Sequence, residues 1–200
     1  MSTSKRIFSK KIVVFASGSG SNAENIIRYF KDSGTAEVVS VMSNKPSAKV
    51  LDRAQKLNVT ALYFDREAFY NTNDVLHILE DTNPDLIVLA GFLWLFPSSI
   101  LEKFPNKVIN LHPALLPKFG GKGMFGNYVH QAVLDNNEEE TGITIHYVNE
   151  KYDDGQIIFQ KSFPISSGET LTSLTEKIHE LEHRHFPKVI ENLLESPTID

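Results

Sequence analysis

KIVVFASGSGSN, residues 11–22, joins an apolar run to a glycine-rich turn and then to the first residues of an amphipathic segment. The run is short and rich in Val, which is typical of a buried strand. Glycines suit a tight turn, and Ser or Asn suits the first position of a helix. The stretch therefore predicts a strand, a turn and a helix in direct succession.

The same succession repeats toward the middle of the chain. Further apolar runs are EVVSVMS (37–43), TALYF (60–64) and DLIVLAG (85–91). Segments with helical periodicity begin at about Asn22, Ser47 and Arg66. Such alternation is typical of βαβ units with helices on both faces of a parallel sheet. We predict an α/β fold, a single Rossmann-like domain with a mostly parallel twisted sheet and helices on both faces.

The pattern changes after Gly91. The next elements are an amphipathic piece PSSILEKF (97–104), a strand KVINLH (107–112), a glycine-rich loop FGGKGMFGN (119–127) and a helix over 128–135. Two more strand-like runs, TGITIHYV (141–148) and QIIFQKSFPI (156–165), are separated by the turn NEKYDDG. A final helix is predicted over 170–194. With no internal repeat or linker, one domain over 11–200 follows, preceded by a flexible leader over 1–10.

Composition limits the class of function. The 200 residues are 41% hydrophobic and carry a net charge of -5, which indicates a globular domain and argues against a nucleic-acid partner. The absence of Cys excludes disulfides, thiolate metal sites and thiol catalysis. The basic N-terminus lacks the apolar core of a signal peptide, and no apolar run is long enough to span a membrane. We expect a cytoplasmic protein, either a monomer or a homodimer.

Ligands of open α/β sheets bind at the carboxyl ends of the strands, so the residues after each strand are candidate site residues. The first set is SGSGSN, in which Gly18 and Gly20 allow close backbone approach and the following helix directs N–H groups at an anion. A plain strand-to-helix turn is the alternative. Including Ala23, the stretch matches GxGxxA, but no acidic residue ends the next strand, which favours a phosphomonoester over a dinucleotide.

Two further strand ends carry contrasting side chains. LIVLAGFLWLFP (86–97) places five large apolar residues after a strand, which is consistent with core packing or with a slot for a flat heterocycle. In VINLHPALLPKF (108–119), Asn110 and His112 lie on one face, since alternate residues of a strand share a side. An amide donor beside a titratable imidazole suits acyl chemistry, and the turn acids Asp153 and Asp154 could supply a carboxylate.

Taken together, the motifs resemble those of the folate-dependent phosphoribosylglycinamide formyltransferases. The resemblance covers about residues 11–190 and rests on SGSGSN, DLIVLAGF, INLHPALLPKF, TGITIHYVNEKYDDGQII and HELEHRHFP. It implies the formyltransferase fold and transfer of a formyl group from 10-formyltetrahydrofolate to the amine of glycinamide ribonucleotide, in purine biosynthesis. The folate is a cosubstrate, and neither a metal nor a tightly bound cofactor is implied.

The resemblance also assigns roles to residues. The implied catalytic residues are Asn110, His112 and Asp153. The implied ribonucleotide site consists of Gly18, Gly20, Ser21, Asn22, His179 and Glu182. The implied folate site consists of Arg66, Leu93, Trp94, Leu95, Phe96, His146, Asn149 and Tyr152. Two departures from the common pattern are Trp94, where a basic residue is frequent, and the long loop over 119–129.

Other functions remain open at this point. HELEH, residues 179–183, matches the HExxH pattern of zinc metalloproteases. The same formyl chemistry could act on a nucleotide-linked amino sugar or methionyl-tRNA, or hydrolyse formyl-folate. A non-catalytic nucleotide-binding module would explain the glycine-rich turn but not Asn110, His112 and Asp153.

Overall fold

A computed structural model describes residues 10–195, and within them a seven-stranded sheet forms the centre of the molecule. The strands are β1 (Lys11–Phe15), β2 (Glu37–Ser43), β3 (Thr60–Tyr63), β4 (Leu86–Leu89), β5 (Val108–His112), β6 (Glu140–Tyr147) and β7 (Ile157–Pro164). Their order is β3-β2-β1-β4-β5-β6-β7. The first five are parallel, and β6 and β7 are antiparallel to their neighbours. The predicted, mostly parallel α/β sheet is confirmed.

The helices cover both faces of this sheet. They are α1 (Ser21–Ser33), α2 (Lys49–Lys56), α3 (Arg66–Tyr70), α4 (Asp74–Thr82), α5 (Ser98–Lys103), α6 (Asn127–Asp135) and α7 (Leu171–Glu195). Alternate residues of β1 enter two separate cores: Ile12 and Val14 pack with α1, α2 and α7, whereas Val13 and Phe15 pack with α3, α4 and α5. The strict alternation of side chains along a strand produces this division.

The helix predicted from Arg66 is two helices. The break lies at residues 71–73, where Asn73 adopts a left-handed conformation with φ 63°. Asn tolerates this conformation better than most residues because its short polar side chain bonds locally. The final helix, in contrast, continues through Pro187 to Glu195, which agrees with the predicted range 170–194.

Most of the predicted leader, residues 1–9, lies outside the described residues, as do residues 196–200. Lys10 is described, and its ammonium pairs with the carboxylate of Asp85 at 3.1 Å. Within residues 10–195, none of the helices has the length and apolar character needed to cross a membrane.

Candidate active site

A cavity of about 620 Å³ opens at the carboxyl edge of the parallel strands. Its walls come from the turn after β1, the segment after β4, the end of β5, the loop before α6, the turn after β6, and helices α6 and α7. This is the edge at which open α/β sheets bind ligands. The architecture thus brings together segments that are more than 150 residues apart in the chain.

Asp153 is the centre of a polar cluster in this cavity. Its Oδ1 accepts a hydrogen bond from the Nδ2 of Asn110 at 3.3 Å, and its Oδ2 lies 3.5 Å from the Nδ1 of His112. Oδ2 also accepts from the backbone N–H of Gly121 at 2.9 Å. His146 completes the cluster, since its Nε2 lies 3.1 Å from Asn110 Nδ2 and 3.6 Å from Asp153 Oδ1.

Strand pairing explains why these side chains meet. β5 and β6 are antiparallel, and their register places Asn110 directly opposite His146. The turn after β6 then folds back tightly enough that a Cβ on Gly155 would lie 1.7 Å from the carbonyl oxygen of Tyr147. Glycine is therefore required at 155, and Asp153, with φ 54°, is presented toward β5.

The cluster strongly favours an ionised Asp153. Burial alone would raise the pKa of this carboxyl, but the imidazoles of His112 and His146 and the N–H of Gly121 hold the pKa well below its usual range. The neighbouring acid differs, because Asp154 is exposed and pairs with Lys151 at 3.6 Å. Asp153 is the carboxylate that can stabilise a protonated His112.

His112 is held at both ring nitrogens. Its Nε2 lies 2.8 Å from the carbonyl oxygen of Phe119, opposite the contact of its Nδ1 with Asp153. Phe119 has φ 55°, which is uncommon for a bulky residue and is a form of strain often found at functional sites. The two predicted donors, His112 and Asn110, are thus both engaged by internal partners.

The glycine-rich turn after β1 forms the opposite end of the cavity. Gly18, Gly20, Ser21 and Asn22 all line it, and α1 begins at Ser21. Gly20 has φ 77°, and a Cβ there would lie 2.4 Å from Cγ2 of Val50 on α2. Packing on α2 therefore requires Gly20, whereas a Cβ on Gly18 would meet no atom of residues 10–195 within 4 Å.

The half-buried Asn22 and the buried Glu182 form a hydrogen-bonded pair on this side of the cavity. Asn22 Nδ2 donates to Glu182 Oε2 at 2.9 Å, and Asn22 Oδ1 has no hydrogen-bond partner among the described residues. Burial raises the pKa of Glu182 to about 7, although the bond from Asn22 opposes the shift. His179, one turn earlier on α7, lines the same cavity but is exposed.

A second, shallow pocket of about 30 Å³ adjoins the cluster. It shares Asn110, Tyr152 and Asp153 with the large cavity. Its other walls include Trp94, Leu95, Phe96 and His146. Asn110 and Asp153 therefore stand where the two pockets meet.

The remaining predicted folate residues differ in position. Leu93 lines the large cavity, and Phe96 is 2% exposed and packs mainly in the aromatic core with Phe15 and Phe69. Arg66 lines neither pocket, but its guanidinium carbon lies 5.1 Å from the ring centre of Trp94. Asn149 also lines neither pocket, and its Nδ2 donates to Asp154 within the turn.

Comparison with known proteins agrees with this arrangement. Residues 10–190 match the model of the formyl transferase family. The chain belongs to the formyltransferase family. It is 36% identical over 190 residues to the phosphoribosylglycinamide formyltransferase of Bacillus subtilis (strain 168). This alignment covers 92% of this chain and 95% of that protein.

Two further relatives extend the family match. The chloroplastic phosphoribosylglycinamide formyltransferase of Arabidopsis thaliana is 34% identical over 187 residues, covering 90% of this chain and 64% of that longer protein. The crystal structure of phosphoribosylglycinamide formyltransferase from Bacillus halodurans superimposes with a TM-score of 0.83 at 34% identity, covering 94% of this chain and 96% of the other. The predicted family is confirmed, and the chain is a formyltransferase.

In this formyltransferase the cavity also contains residues that the sequence did not indicate. His130 on α6, Lys45 after β2 and Lys122 in the glycine-rich loop all line it. His130 stands among apolar residues with helical spacing, a pattern typical of a core position. Only its spatial neighbours identify it as part of the site.

The HELEH sequence has no metal-site geometry in this formyltransferase. Within residues 10–195, no group of three or more His, Asp or Glu side chains is placed to hold a metal ion. His179, Glu180 and His183 are exposed on α7, and the buried Glu182 pairs with Asn22.

Proposed function

We propose that the chain transfers a formyl group from 10-formyltetrahydrofolate to the amine of glycinamide ribonucleotide. The observation that carries this proposal is that Asn110 and Asp153, with His112 beside them, stand where a large cavity meets a small aromatic-lined pocket. A reaction between two bound substrates requires such a junction, because their reacting atoms must approach to about 3 Å. The named relatives support the same assignment.

The ribonucleotide occupies the large cavity in this proposal. Its phosphate lies against the turn over 18–22, where the first N–H groups of α1 are free to bind an anion. Glu182 binds the ribose hydroxyls, and the unpartnered Oδ1 of Asn22 is available as an acceptor. His179 supplies a further polar group at the phosphate end.

The folate ring system lies over the small pocket, beside Leu95, Tyr152 and His146, and because this pocket of about 30 Å³ is far smaller than the ring system, it has to widen when the folate binds. Trp94 and Arg66 extend this surface outward as a cation–π pair, which places a positive charge where the acidic tail of a folate would leave the pocket. Leu93 and Phe96 contribute apolar walls. Asn149 acts indirectly, by shaping the turn that carries Asp153.

The reaction takes place where the two pockets meet. The substrate amine attacks the formyl carbon, a C–N bond forms, and negative charge develops on the formyl oxygen. Asn110 and protonated His112 donate to that oxygen, an effect whose loss typically costs roughly a hundred- to a thousandfold in rate. Collapse of the intermediate breaks the bond to folate nitrogen, and the proton released by the amine passes to that nitrogen, with Asp153 and a water as relay.

This mechanism requires one rearrangement. The N–H of His112 Nε2 is directed at the carbonyl of Phe119, and Asn110 Nδ2 is directed at His146 and Asp153. The formyl oxygen has to replace these partners as it gains charge. The N–H of His112 moves from the neutral carbonyl of Phe119 to a developing oxyanion, so its hydrogen bond becomes stronger and charge-assisted, which favours this exchange.

The decisive experiment uses purified protein with both substrates. We expect release of tetrahydrofolate, followed by absorbance, that depends on glycinamide ribonucleotide and persists in the presence of a chelator. Release at the same rate without the ribonucleotide would indicate formyl-folate hydrolysis instead. Loss of activity with the chelator, restored by zinc, would support a metal-dependent mechanism.

A further inference from the structure

His130 is a buried imidazole whose Nδ1 has no hydrogen-bond partner within residues 10–195. It lies on α6, is 2% exposed and lines the large cavity. Nearly all buried polar groups in native proteins have hydrogen-bond partners, so a buried group without one calls for an explanation, such as a functional role or a bound water or ion. The side chain makes no hydrogen bond among the described residues, so its presence on the buried face of α6, beside Val129 and Val133, requires another reason.

The neighbours of His130 locate it along the cavity. His112 in the catalytic cluster and His179 near the glycine-rich turn are both close enough to influence its charge. His130 therefore lies in the same cavity and near both the amine end and the phosphate end of the proposed function, so a ligand that spans these ends passes close to it.

The charge state of His130 is set by this environment. Burial, followed by the nearby imidazoles of His179 and His112, lowers the pKa of His130 to about 4. A neutral imidazole offers one N–H donor and one acceptor. A neutral ring also avoids repulsion of the protonated His112 that the reaction needs.

We propose that His130 is a positioning residue, which hydrogen-bonds the carboxamide that joins the ribose to the glycyl amine of the substrate. This inference rests on the proposed function. The phosphate, the ribose hydroxyls and the amine have partners at the turn over 18–22, at Glu182 and at the catalytic cluster. The carboxamide is the uncharged polar group between them, and a neutral donor–acceptor side chain is its chemical complement. A hydrogen bond to the carboxamide, midway along the substrate, would hold the amine in line with the formyl carbon.

The test compares His130→Phe with His130→Gln. Phenylalanine retains a ring but removes both polar atoms, and we expect KM for glycinamide ribonucleotide to rise about tenfold, as for the loss of one hydrogen bond. Glutamine restores a neutral donor and acceptor, and most of the affinity should return. The Kd for the folate, measured by calorimetry, should stay within a factor of two, roughly the error of such a comparison. His77→Phe, an exposed histidine on α4, is the matched control.

Each of the other possible outcomes leads to a different conclusion about His130. A parental KM in His130→Phe would overturn the inference while leaving the proposed function intact, whereas an inactive parent protein would remove the proposed function itself. Equal loss of both ligands in both variants would assign His130 a structural role. A changed pH–activity profile in His130→Gln would show that the imidazole titrates during turnover, which also contradicts the proposal.

Discussion

Asp153 and Asp154 are adjacent in sequence and opposite in environment. Asp153 is partly enclosed by His112, His146 and Gly121, and Asp154 is exposed. Asp153→Asn keeps the shape but removes the charge that favours the imidazolium of His112. We expect turnover to fall about a hundredfold or more while substrate affinities persist, and Asp154→Asn to remain within a few-fold of the parent.

The pH–activity profile tests the same residue independently. Because the pKa of Asp153 is held well below its usual range, its charge is present throughout the pH range of an activity assay, so the deficit of Asp153→Asn relative to the parent should persist at every pH. Turnover measured against pH for both variants gives the comparison. A collapse of turnover in Asp154→Asn, with near-parental Asp153→Asn, would mean that the wrong carboxylate has been assigned.

Glu182 should make the stability of the protein depend on pH. Its pKa is raised from 4.5 to about 7, so between these values the unfolded chain loses the proton and the folded chain keeps it. The contribution of Glu182 to stability should therefore be full below pH 4.5 and decrease as the pH rises to 7. The shift corresponds to roughly 3 kcal/mol at most.

The variant Glu182→Gln retains an acceptor for Asn22 and cannot ionise. Its free energy of unfolding in urea, measured at pH 5 and pH 7.5, should decrease less over this interval than that of the parent. Glu180→Gln, on the exposed face of the same helix, should behave like the parent. Identical pH dependence in Glu182→Gln would show that Glu182 ionises in the folded protein as it does in water.

Individual site residues differ in how far the sequence could predict them. The alternation in VINLH placed Asn110 and His112 on one face, and the structure brings both to Asp153. His130 could not be found in this way, because its position depends on how α6 packs beside α7 and not on any local spacing. The need for glycine at 20 likewise depends on Val50, a contact across two helices.

At the scale of elements, the turn between β1 and α1 combines a packing requirement with a predicted phosphate site. Gly20→Ala introduces a Cβ into Val50 and forces alanine to adopt φ 77°, so we expect destabilisation by roughly 1–3 kcal/mol. Gly18→Ala meets no atom within 4 Å and should leave the free energy of unfolding nearly unchanged.

Ligand affinity separates the two variants further. The new methyl group of Gly18→Ala stands at the cavity wall, so the Kd for the ribonucleotide should rise several-fold while that for the folate stays constant. Calorimetry with each ligand, together with urea unfolding, measures both effects. Unchanged ribonucleotide affinity in Gly18→Ala would place the phosphate elsewhere in the cavity.

Element types were more predictable than element ends. Apolar runs such as DLIVLAG identify strands because burial on both faces excludes polar residues. The break between α3 and α4 was missed because the helical periodicity continues across it, while the left-handed Asn73 redirects the backbone. At Pro187 the helix continues although proline disfavours a helix interior, because tertiary packing of α7 maintains it.

At the scale of the whole molecule, the sheet separates two cores that do not share buried side chains. Ile100 belongs to the core beneath α5, and Ile190 belongs to the core beneath α7. Each Ile→Val substitution should cost roughly 0.5–1.5 kcal/mol. The double variant should show the sum within about 0.5 kcal/mol, because distant sites are additive. Urea unfolding of the four proteins tests this, and a larger coupling energy would show that the sheet transmits strain between its faces.

Trp94 makes ligand binding to the enzyme observable by fluorescence. It is the single tryptophan in the chain, and its indole lies against Arg66 beside the small pocket. Intrinsic fluorescence therefore originates at one end of the site, and a ligand that separates this pair would alter the emission directly. The other end, at the turn over 18–22, has no tryptophan. The two substrates can therefore be added in either order while the emission of Trp94 is followed, and the comparison would reveal which substrate binds first.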